Sequence, residues 1–145
     1  MERRFNLSLD ERREIAQDAI DHWTENLLLC LFGFSNINHG VYGCSFCQKF
    51  ISDNACYGCP LWHVGNKLHC QSQYSAWYGF HVAHWKAEFL SGLCSPERRS
   101  NLIMACERVL IAVENAAEYL VSSDWERRYG VRGNHERPLR QSPDI

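Results

Sequence analysis

Apolar residues recur along the first part of the chain with a helical period. Ile15, Ala16, Ala19, Ile20, Trp23, Leu27 and Leu28 fall three and four apart, which predicts an amphipathic helix. Ser8-Leu9-Asp10-Glu11 forms a capping box in which Ser8 and Glu11 satisfy each other's backbone N–H groups, so the helix starts at Ser8. Gly33, Asn36, Asn38 and Gly40 end it. A second helix is predicted from Ser72 to Ser91, with Tyr74, Trp77, Tyr78, His81, Val82, Trp85 and Phe89 as its stripe. Aromatic rings bury large areas, so that stripe is expected in the core. A third helix opens near Pro96 with Ser95 as its cap. Leu102, Cys106, Val109, Val113, Ala116 and Leu120 carry it to about Trp125. The expected fold is mainly α: a small three-helix domain with an irregular metal-binding Cys loop inserted between the first and second helices.

That loop, about residues 40–72, has no sustained period. It holds Cys44, Cys47, Cys56, Cys59 and Cys70, five of the chain's eight cysteines, spaced C-x2-C-x8-C-x2-C-x10-C. Each CxxC places two sulfurs on one side of a tight turn, and two such turns complete a tetrahedral thiolate set. Thiolates favour zinc or an iron–sulfur cluster over calcium or magnesium. The loop is too poor in aliphatic residues to offset its ordering entropy, whereas structural zinc contributes about 10–16 kcal/mol in small peptides. Zinc is therefore the expected ion, with an iron–sulfur cluster as the alternative. Five cysteines exceed the four ligands zinc needs, and His63 or His69 could replace one. Cys30, Cys94 and Cys106 sit in or beside apolar helical patterns and read as small core residues.

The chain has 145 residues, 46% of them hydrophobic, and a net charge of −2. These values fit one domain, residues 1–125, without a global basic field. The longest apolar run, Leu27 to Phe32, falls short of the roughly 20 residues of a membrane span. No secretory leader is legible at the N-terminus, so a soluble cytoplasmic protein with no membrane association is expected. Residues 126–145 change character. Arg127, Arg128, Arg132, Arg137 and Arg140 outnumber the acids there, giving +2, and Gly130, Gly133, Pro138 and Pro143 interrupt any helix. An arginine-rich mobile tail is predicted.

Little points to catalysis. There is no HExxH, no phosphate-binding glycine loop and no G-x-S-x-G elbow. His81, His84 and Glu88 share one side of the second helix, but the matching carboxylates of a di-iron bundle are absent from its neighbour. The chain is expected not to be an enzyme.

The segment Cys44-Ser-Phe-Cys47, Cys56-Tyr-Gly-Cys59-Pro60-Leu61 and Cys70, followed by Tyr74 and Trp77, resembles a loose group of small bacteriophage and mobile-element proteins. They carry a CxxC, a C-x-G-C-P and a later Cys, after a helix rich in Trp and Glu, here the one with Trp23 and Glu25. The resemblance spans about residues 15–80 and implies a metal knuckle and a viral origin. The expectation is a metal-stabilised protein in the host cytoplasm that binds a host macromolecule, such as a transcription or antiviral-defence protein. Phe46, Phe50, Tyr57 and Trp62 on the loop, with Arg127, Arg128 and Arg132 in the tail, are the predicted contacts. Nucleic-acid binding is an alternative, weakened by the net charge and by a loop whose only cations are Lys49 and Lys67. An iron–sulfur redox or sensor protein is another.

Overall fold

Ser8 opens the first helix as the sequence predicts: its Oγ accepts from the Glu11 N–H at 3.1 Å, and its own N–H donates to Glu11 Oε1 at 3.2 Å. The computed structural model describes residues 4–32, 45–50, 59–61, 76–89 and 96–131. Within them lie five helices: α1 (Leu9–Phe32), α2 (Ser45–Phe50), α3 (Ala76–Phe89), α4 (Pro96–Leu120) and α5 (Ser123–Tyr129). The fold is mainly α, and the described residues contain no strand beyond an isolated bridge between Phe5 and Gly130.

The predicted line on α4 is the one buried. Leu102, Cys106, Val109, Val113, Ala116 and Leu120 all face inward, joined by Ala105 and Ala117. This makes α4 the central helix, packed on α1 along one side and on α3 along another. Small buried residues on both helices, Ala16 and Ala19 of α1 and Ala116 and Ala117 of α4, permit close approach of the backbones. Trp23 of α1 meets Phe80 of α3 edge to face, with ring centroids 5.2 Å apart.

Two predicted stripes are rotated. On α1 the buried face runs Arg12, Ala16, Ala19, Trp23, Asn26 and Cys30, while Leu28 is 48% exposed. The apolar reading includes Ala16, Ala19 and Trp23 but not Arg12 or Asn26, because two of the six buried positions are polar. On α3, Phe80 and His84 are buried, whereas Tyr78, His81 and Trp85 face outward. Nearly every position of α3 is apolar or aromatic, so composition sets no phase and its neighbours decide which side is covered.

The chain also breaks earlier than predicted, at Leu120 rather than near Trp125. Ser122 caps α5, accepting from the Trp125 N–H at 3.2 Å, and Asp124 and Glu126 occupy the first turn, where the helix dipole favours acids. The start of the predicted tail is instead structured: residues 126–129 continue α5, and Tyr129 and Gly130 are buried, one turn after Trp125, while Arg127, Arg128 and Val131 stay exposed. Residues 132–145 lie outside the described residues. No helix among the described residues is long and apolar enough to cross a membrane.

Candidate metal centre

The described parts of the Cys segment reach the core at two places. Around the first CxxC, Cys47 lies on α2 between Phe46 and Phe50. At the second, Cys59 is 4% exposed and Pro60 is fully buried. Cys44, Cys56 and Cys70, with His63, His69, Tyr57 and Trp62, lie outside the described residues. Among the described residues, no three His, Cys, Asp or Glu side chains gather to hold an ion.

Phe46 and Phe50 require a correction. Expected on a display surface, they are 0% and 1% exposed. Their spacing of four puts both on the inner side of α2, and burial of two large rings anchors the segment. Phe50 meets Phe5 edge to face at 5.1 Å and Trp125 at 6.0 Å. Neither ring is available to a partner.

The site where α2 lands is held by both ends of the described chain. The Phe5 N–H donates to the Tyr129 carbonyl at 2.6 Å, and Arg4 Nη1 donates to the carbonyls of Arg127 and Gly130. Gly130 closes the turn: its N–H reaches the Glu126 carbonyl at 2.8 Å, and a Cβ there would stand 2.5 Å from that oxygen. Beneath lies Arg12, buried and unannounced by the hydrophobic pattern. Its Nη1 donates to the Leu120 carbonyl at 3.0 Å, its Nη2 pairs with Glu126 at 3.5 Å, and its guanidinium lies 5.2 Å from the Trp125 ring centre. Burial lowers the Arg12 pKa and Glu126 opposes that shift. The only sequence signal for this residue is its place on the α1 face, four residues before Ala16.

Arg127 and Arg128, predicted to meet a partner, are exposed on α5. Arg127 pairs with Asp124, and Arg128 lies over the Tyr129 ring at 5.5 Å. Arg132 lies outside the described residues.

Two cysteines away from the segment meet across α1 and α4. Cys30 and Cys106 are buried, and each thiol feels the other as a hydrogen-bonding neighbour. That interaction pulls the Cys30 thiol below its ordinary range against the effect of burial, with the Arg99 guanidinium adding to the pull. Cys106 shifts upward, from the same interaction and from burial. The two histidines that the sequence places on one side of the second helix separate. His81 is exposed and stacks on Trp77 at 5.5 Å, while His84 is buried and stacks on Phe80 at 5.8 Å.

Compared with known proteins, the chain matches no family model, no curated protein and no solved structure.

Proposed function

We propose that the chain is a non-enzymatic, zinc-stabilised interaction protein, of phage origin, that binds and modulates a host macromolecule in the host cytoplasm. The cysteine spacing carries this reading: Cys44, Cys47, Cys56, Cys59 and Cys70 supply two CxxC pairs and a fifth thiol within 27 residues. Support comes from the anchoring of the chain beside one cysteine of each pair, since buried Phe46 and Phe50 lie on the same helix as Cys47, and Cys59 and Pro60 are themselves buried. Ligands whose backbones are fixed by the core lose less entropy when an ion draws their sulfurs together. Phe46 and Phe50 thus serve as anchors in this reading, and the partner is met away from them.

Native mass spectrometry with elemental analysis, on protein purified without oxygen, tests the proposal. One zinc per chain is expected, from a colourless preparation, and Cys→Ser changes at 44, 47, 56, 59 and 70 separate four ligands from a spare. A folded polypeptide with no bound ion overturns it, and iron with sulfide replaces it with the redox alternative.

A further inference from the structure

We infer that the groove between α3 and α4 is a docking site for an acidic, amphipathic peptide segment of a partner protein. The inference rests on reading the chain as an interaction protein, and it gives that partner a chemistry and a place. The groove holds about 280 Å³. From α3 it is lined by Gly79, Val82, Ala83 and Lys86, at the helical spacings i, i+3, i+4 and i+7. From α4 come Asn101, Met104, Ala105 and Arg108, with half-buried Arg98 beside them. Its lining mixes apolar Val82, Ala83, Met104 and Ala105 with polar side chains, and the charged residues among the described lining are all positive, in a chain whose net charge is −2.

Lys86 and Arg108 are not neutralised by their own helices. The residues three and four away from Lys86 are Val82, Ala83, Phe89 and Leu90, and those around Arg108 are Met104, Ala105, Ile111 and Ala112. Side chains at these spacings are the ones that meet on a helix, and none here is acidic. Several cations elsewhere among the described residues are matched: Arg13 with Asp10, Arg127 with Asp124, Arg12 with Glu126, while Arg4 and Arg99 donate to carbonyls. Among the described residues, neither Lys86 nor Arg108 joins an ion pair.

On the same two helices Tyr78 and Trp85 of α3, seven residues apart, and Ile111 of α4, seven residues after the lining Met104, are exposed. Aromatic, Met and Arg side chains are enriched at protein interfaces, where covering the apolar floor strengthens charge pairs at the edge. Gly79 leaves room over the floor, for a Cβ placed there meets nothing within 4 Å. A partner offering Asp or Glu beside Leu, Phe or Trp matches both features. Nucleic acid matches less well, because phosphate-driven binding draws on many cations along a path.

The test is selection of a random displayed peptide library on the zinc-loaded full chain. A synthetic copy of the enriched peptide is then measured by fluorescence anisotropy against wild type, Lys86→Glu/Arg108→Glu and Gly79→Leu. Both charge reversals are at exposed positions, and Leu exceeds Gly in helix propensity, so circular dichroism and zinc content are expected to match wild type. Enriched peptides should combine acidic with large apolar residues and lose about tenfold or more in affinity to the double variant, with a further loss where Gly79→Leu fills the floor. No enrichment, peptides without acids, or equal binding to the double variant each overturn the inference. So does tight binding of labelled oligo-dT that the same charge reversal abolishes. Peptides that bind the double variant equally leave the interaction reading standing and remove only this groove, whereas an ion-free chain removes the metal reading and leaves the groove untouched.

Discussion

Arg12 is a guanidinium sealed inside a small helical domain, and its Nη1 meets the Leu120 carbonyl at the end of α4. Its contacts with Leu120, Glu126 and the Trp125 ring tie α1 to the α4–α5 corner. Arg12→Ala removes all three and leaves carbonyl groups buried without donors. A loss of about 3 kcal/mol is expected, read as a fall in the urea midpoint with the slope unchanged. At the other end of the scale, Glu11 is fully exposed and acts through its capping box. The backbone N–H of Ser8, then its hydroxyl, holds the Glu11 carboxyl below the ordinary carboxylate range. A depressed folded-state pKa means stability present above the unfolded value and lost as pH falls through the folded one. The stability advantage of wild type over Glu11→Gln should therefore hold at neutral pH and vanish in acid. An advantage that grew on acidification would contradict the cap.

The same logic extends to whole elements. Isolated, a six-residue helix such as α2 is not stable in water, so its order comes from Phe46 and Phe50. Phe50→Ala should cost about 3–5 kcal/mol, measured by thermal unfolding. If Phe50 were instead a partner contact, the change would leave stability unaltered. The other helices differ in how far the sequence disclosed them. The inward line of α4 was legible because its apolar residues repeat without interruption. The covered side of α3 was not, since rings and aliphatics surround that helix, and only Trp23 and α4 select Phe80 and His84 for burial. The start of α5 had a local signal, Ser122 with Asp124 after it, which the continuing apolar pattern through Trp125 obscured.

Across the whole molecule, the two ends of the described chain meet beside the anchor of the Cys segment. Phe5, Phe50, Trp125 and Tyr129 form one aromatic junction. A metal that orders the segment would therefore stabilise the entire domain, because loosening α2 uncovers Phe5 and Trp125. Adding a zinc chelator should lower the unfolding midpoint of all helices together, followed by far-UV circular dichroism. Unchanged helical melting after complete zinc removal would separate the segment from the core. By itself, the sequence determined the helices that its periodicity and capping residues specify, and the five clustered thiols that fix the candidate chemistry. Those are local properties of spacing and residue type. Only the tertiary structure decided that Phe46 and Phe50 face inward, that Arg12 closes a helix more than a hundred residues away, and that Lys86 and Arg108 share a groove. Each depends on which surfaces meet, and a pattern along one strand of chain does not contain that information.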